Sequence, residues 1–217
     1  MTAAMEELLR STRLPQFARQ IEERLANEES RRQRFYDELS DDQKAEFING
    51  EVIMHSPATC RHIEMLGNIG TLLNTLVNAR KLGRVLGEKA IVHLTRNSYE
   101  PDLCYFGLEK SASLRPEQVT FPAPDFIIEA LSPSTEATDR GIKFEDYAAH
   151  GVAEYWIVDP ERETVEQYRL VGDAYQLNEK LAHSTIRSLV VRDFEVNVQA
   201  FFDAEENIRS LRTLLQS

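Results

Sequence analysis

Pro124-Asp125-Phe126-Ile127-Ile128-Glu129-Ala130-Leu131-Ser132-Pro133 sets an apolar, β-favouring run between two prolines and places an acid inside it. Such a run, bounded by breakers, is the pattern of a buried strand. Upstream, Pro101-Asp102-Leu103-Cys104-Tyr105-Phe106 has the same form. A lone ionised carboxylate in a strand core costs several kcal/mol unless it is paired, hydrogen-bonded or bound to a cation. The two buried acids therefore need a partner, and that need directs the reading of the whole chain.

Strand geometry sorts the acids. Side chains alternate, so Asp125, Ile127 and Glu129 share one face, but four residues of strand hold Asp125 and Glu129 about 13 Å apart, too far for one ion. Asp102 lies beside Glu129 if the two strands pair in register, because neighbouring strands are ~4.8 Å apart. Two like charges there repel, and a divalent cation between them is one remedy, magnesium or manganese being favoured by hard oxygen ligands. The plainer alternative is that each acid caps a turn or meets a nearby Arg or Lys.

Downstream, Ser134 to Thr138 supply turn and cap chemistry for a helix over 139–149, which Gly151 follows. Asp139, Lys143 and Tyr147 recur at steps of four on one face of it. Asp139 and Lys143 read plainly as an i,i+4 ion pair. Alternatively, Lys143 points back at the end of the Glu129 strand, where an ammonium can orient water and offset phosphate charge.

Further out, Glu46 to Met54 places Asn49-Gly50 between two apolar runs, a hairpin signal. Ile63, Leu66, Ile69, Leu72, Leu73, Leu76 and Val77 recur with helical period over 61–82, and Gly83 ends that helix. Strands are expected over 84–95, 99–107, 123–132 and 153–160, then a hairpin about Gly172-Asp173, a strand near 189–191 and a last helix over 208–215. The order helix, three strands, helix, strand gives an α/β core wrapped by hairpins. Residues 1–35 are helical, with Leu14, Phe17, Ile21 and Leu25 in a stripe that packs on the domain itself, on a partner or on a second copy.

The 217 residues suffice for one domain with extensions. No apolar run reaches the ~20 residues of a membrane span, and the N-terminus has no signal-like apolar segment, so the expected location is cytoplasmic. Cys60 and Cys104 have neither metal-site nor disulfide spacing and read as reduced. The net charge of −11 argues against a broad electrostatic grip on nucleic acid. It leaves room for a local site in which metal ions neutralise the charge.

Pro101-Asp102, Glu129-Ala130-Leu131-Ser132-Pro133, Asp139-x-x-x-Lys143-x-x-x-Tyr147, Gly151-Val152 and Glu154 to Pro160 together resemble the Uma-type endonucleases, within the restriction-endonuclease-like, PD-(D/E)XK superfamily. Asn49-Gly50-Glu51 and His62 fit that family's entry hairpin and first core helix. The resemblance implies a mixed β-sheet flanked by helices, with an N-terminal helical extension over 1–40, a nuclease domain over 41–190 and a C-terminal extension over 191–217. It implies a nuclease in which Asp102 and Glu129, helped by the Ala130 carbonyl, hold Mg2+ or Mn2+, so that an activated water attacks a DNA phosphodiester in line. The superfamily's lysine normally stands two residues after the second acid, where this chain has Leu131; Lys143 is the expected substitute. Glu51, His62 and Tyr147 are secondary candidates. Plainer roles exist for Glu51, as a polar strand residue, and for His62, as a helix-start residue. The competing reading is an inactive nuclease fold serving as a homodimeric or partner-binding module.

Overall fold

The computed structural model describes residues 3–40 and 43–216, so residues 1, 2, 41, 42 and 217 of the expected segments lie outside the described residues. Helices α1 (Ala3–Arg10) and α2 (Leu14–Glu38) lead into the hairpin β1 (Ala45–Ile48) and β2 (Glu51–Met54). Its turn is the expected one, with Asn49 at φ 52° and Gly50 at φ 86°, the paired positive angles that a tight hairpin requires. Helix α3 (Cys60–Arg80) follows, its first turn capped by the Thr59 hydroxyl accepting from the His62 amide. It ends where Lys81 turns left-handed and the Leu82 amide donates to the Val77 carbonyl, a capping geometry that closes the last turn.

Next come β3 (Gly83–Gly87), β4 (Ile91–His93), β5 (Ser98–Tyr99), β6 (Leu103–Gly107), α4 (Leu108–Ala112), β7 (Thr120–Phe121) and β8 (Phe126–Ala130). The chain continues through α5 (Glu136–Asp139), α6 (Ile142–Ala149), β9 (Glu154–Asp159), β10 (Thr164–Val171), β11 (Ala174–Leu181), β12 (Thr185–Arg187) and β13 (Glu195–Asn197). A 3-10 turn over Val198–Phe201 and α7 (Ala204–Gln216) complete it. The main sheet has the order β11-β10-β9-β8-β6-β3, and a second sheet has the order β2-β1-β5-β4-β7. Only β8 and β9 run parallel in the main sheet, joined by a crossover through α5 and α6.

Alternation along the central strands builds two cores. Leu103, Tyr105, Phe126, Ile128, Trp156 and Val158 face α3 and the C-terminal segment. Cys104, Phe106, Ile127, Tyr155 and Ile157 face α6 and the second sheet. Glu129 belongs by its parity to the α6 side.

Several expected strands are divided. The 84–95 run breaks at Lys89, which turns to φ 74°. The 99–107 run breaks at Glu100-Pro101-Asp102, where the chain leaves the second sheet and enters the main one. The expected strand near 189–191 is not a strand; β12 and β13 flank it instead. The cause is the buried Glu154, whose Oε2 accepts from the Leu189 amide at 2.9 Å, the Val190 amide at 3.1 Å and the Ser188 hydroxyl at 2.6 Å. Those amides serve a carboxylate rather than a ladder. Phe194, Val196, Val198, Phe201 and Leu214, from the segment expected as a C-terminal extension, enter the α3 core. Helix α2 docks through Glu28, Arg32 and Phe35, while Ile21 and Leu25 remain 51% and 47% exposed.

Glu154 Oε1 also accepts from Trp156 Nε1 and Gln167 Nε2. Glu154→Ala removes the shared acceptor of five donors, of which Gln167 Nε2 and the Val190 amide keep a second acceptor, and about 3–5 kcal/mol of stability is lost. In thermal unfolding by circular dichroism this lowers Tm by roughly 10 °C; a shift under about 3 °C contradicts the assignment.

Candidate active site

The site forms where the second sheet meets the main sheet. Leu103 pairs with Ile128, so the antiparallel register carried one step on sets Asp102 opposite Glu129. The contact is made: the Asp102 amide donates to Glu129 Oε2 at 3.4 Å, and Asp102 Oδ2 accepts from the Ala130 amide at 2.8 Å. Asp125 lies elsewhere, its Oδ2 accepting from the Gly107 amide and its Oδ1 paired with Lys110.

Lys143 reaches the same place from α6. Its Nζ lies 3.0 Å from Glu129 Oε1, 2.9 Å from Glu46 Oε1 and 3.1 Å from Asp139 Oδ1. The expected single helix over 139–149 is interrupted between α5 and α6, yet the Asp139–Lys143 spacing survives. Tyr147, one turn further on, donates to Glu129 Oε1 at 3.0 Å. The Tyr147 ring stands edge-on between Tyr99 and Tyr155, sealing the floor of the cluster.

Glu46 is the acid that the sequence pattern hid. It is wholly buried on β1, its Oε1 also accepting from the Glu100 amide at 3.0 Å. Its Oε2 lies 3.1 Å from His55 Nε2 without hydrogen-bond alignment. Its signal was an acid placed inside an apolar hairpin strand, the same anomaly that marked Glu129. Lys44, two residues earlier, pairs with Asp102 Oδ1. His62 stands at the start of α3 with Nε2 3.9 Å from Asp102 Oδ2. Glu51 does not join the group: it sits on β2, whose four residues are all exposed.

The charges compete. Burial, reinforced by Asp139, Asp102 and Glu46, lifts Glu129 to about 8 against the pull of Lys143. Burial also raises Asp139. Glu46 goes the other way: burial opposes its charge, but Lys143 and His55 outweigh that and hold it at about 2. Lys143 is raised well above an ordinary lysine because the attraction of Glu129, Glu46 and Asp139 exceeds its own desolvation. One ammonium thus serves several carboxylates, and Glu129 is held well above the usual carboxylate range.

A family model described as "Putative restriction endonuclease", Uma2, covers residues 31–199. The chain belongs to the Uma2 family. A curated relative, an uncharacterized protein of Synechocystis sp. PCC 6803, is 29% identical over 133 residues, 60% of this chain and 75% of that protein. The crystal structure of a "putative nuclease belonging to DUF820" from Anabaena variabilis superposes with TM-score 0.67 at 19% identity, over 77% of this chain and 94% of that one. Family and fold together are those of restriction-endonuclease-like nucleases. Among the described residues no helix is long and apolar enough to cross a membrane.

A carboxyl raised in the fold binds its proton more tightly than the unfolded chain does, so its stabilising effect is complete at low pH. That effect is lost as pH climbs from about 4.5 through about 8. Glu129→Gln, which cannot ionise, escapes this loss. In chelator, its Tm exceeds the parent's at about pH 9 by roughly 2–4 °C, about 1 kcal/mol, and the gap closes toward about pH 6. Parallel Tm curves for the two proteins across that range contradict a raised Glu129.

Proposed function

We propose that this protein is a metal-dependent endonuclease that hydrolyses DNA phosphodiester bonds, with Asp102 and Glu129 holding Mg2+ or Mn2+ and the Ala130 carbonyl assisting. The observation that carries the reading is the meeting of Asp102 with Glu129 at the end of β8, two buried acids joined through the Asp102 amide at Glu129 Oε2.

The donor set fits a hard cation. Glu129 Oε1 is engaged by Lys143 and Tyr147, while Oε2 has only the long contact from the Asp102 amide. The Ala130 amide points toward Asp102, and the carbonyl of an extended residue leaves the strand on the same side as its amide. Continued register puts Pro101 opposite it, a residue with no N–H to donate. Among the described residues no three His, Cys, Asp or Glu side chains form a ready cage. Magnesium keeps several waters and takes one or two carboxylates plus substrate phosphate, and Asp102 and Glu129 would be those carboxylates. When bound, the cation would activate water and stabilise charge on the phosphate. Lys143 and Tyr147 fix Glu129, the Ala130 amide fixes Asp102, and the tyrosine floor excludes bulk water beneath them. His62, beside Asp102, borders the place where substrate would enter.

A second reading, a nuclease fold kept as a homodimeric or partner-binding module in the cytoplasm, draws on the exposed continuation of the α2 stripe at Ile21 and Leu25.

Incubation of plasmid and single-stranded DNA with Mg2+ or Mn2+ decides between them. The parent cleaves, and Asp102→Ala and Glu129→Ala each lower the rate by about 100-fold or more. Cleavage that survives both substitutions removes these residues from the site. A folded parent without cleavage on either DNA favours the second reading.

A further inference from the structure

Two lysines touch the acidic cluster, and they are not equivalent. Lys143 is enclosed: its side chain is 2% exposed and its ammonium faces three carboxylates from β1, β8 and α5, with the Tyr99 ring 6.0 Å away. Removing it strands three buried acids. An ammonium so committed has no path to a phosphate that arrives from solvent, and the position two residues beyond Glu129 is the buried Leu131.

Lys44 stands at the other end of an exposure gradient. Its side chain is 22% exposed, against 13% for His62, 5% for Asp102 and 3% for Glu129. Solvent, and anything dissolved in it, meets the cluster from the Lys44 and His62 side. Among the described residues the carboxylate that Lys44 pairs with is Asp102, through Oδ1, the acid that a cation would also need. Its backbone is anchored, since the Lys44 carbonyl accepts from the His55 amide at 3.0 Å and so extends the β1–β2 hairpin. The side chain can therefore change partner without moving the strand that carries Glu46.

We propose that two duties are divided between these lysines: Lys143 positions the carboxylates, and Lys44 is the catalytic lysine that meets the phosphate. In the absence of a divalent cation Lys44 neutralises Asp102; when a cation takes that carboxylate, the ammonium is freed toward the incoming phosphodiester. This rests on the metal-dependent nuclease reading. Lys44 acts throughout as a fixed positive charge and transfers no proton.

The test compares the parent with Lys44→Met and Lys44→Arg by calorimetric titration with Mn2+ and by DNA cleavage at saturating Mn2+. A cation competes with the Lys44 ammonium for Asp102, so Lys44→Met binds Mn2+ more tightly, by about 10-fold, while cleavage falls by about 100-fold. Lys44→Arg retains the charge, keeps parent-like Mn2+ affinity and recovers part of the cleavage. A residue that only supports the fold would lose metal affinity and cleavage together. Should Lys44→Met not fold by circular dichroism, Lys44→Gln takes its place with the same two expected shifts. Mn2+ affinity that is unchanged or weaker in the neutral variant, or cleavage within about threefold of the parent, overturns the role of Lys44 and leaves the nuclease reading standing. A parent that neither binds Mn2+ nor cleaves overturns both.

Discussion

The buried ammonium of Lys143 is the interaction on which the arrangement turns. Glu46 comes from the second sheet, Glu129 from the main sheet and Asp139 from the crossover, and each is held within 3.1 Å of that single nitrogen. Desolvating such a group is costly and is repaid only when its partners are close and well placed. The two sheets and the crossover are therefore fixed relative to one another by charge as well as by apolar contact. Asp102, at the point where the chain passes between the sheets, takes its position from that junction.

Much of this could be read from the residues. The strand pattern about Glu129 and Asp102 allowed their meeting if the strands paired in register, and strand spacing separated Asp125 from Glu129; the fold places Asp102 at Glu129 and Asp125 with Lys110. Four-residue spacing brought Asp139, Lys143 and Tyr147 to one side, and the Asn49-Gly50 turn gave the hairpin. These readings rest on short-range geometry, which a sequence carries openly.

What was hidden depends on long-range packing. Glu46 and Lys44 lie more than fifty residues from Asp102, and nothing local says that β1 will lie against β5 rather than against the central strands. Glu51 was a secondary candidate through its fit to the family's entry hairpin, but β2 is the edge strand and leaves it in solvent. The segment 189–191 has strand-forming residues, yet the Glu154 carboxylate, thirty-five residues earlier, claims its amides. The α2 stripe resolved into two parts, since the same face that docks through Phe35 overhangs the domain at Ile21 and Leu25.

Trp156, the single tryptophan, lies on the face of the main sheet turned away from the acids. It packs against Phe126, Phe194 and Phe201, wholly removed from solvent, while three tyrosines, Tyr99, Tyr147 and Tyr155, lie on the acidic side. The single tryptophan is thus an intrinsic reporter of one face of the main sheet. Indole emission therefore reports on the packing of the C-terminal segment over α3, from the face of the sheet opposite the Lys143 cluster, in an unlabelled sample.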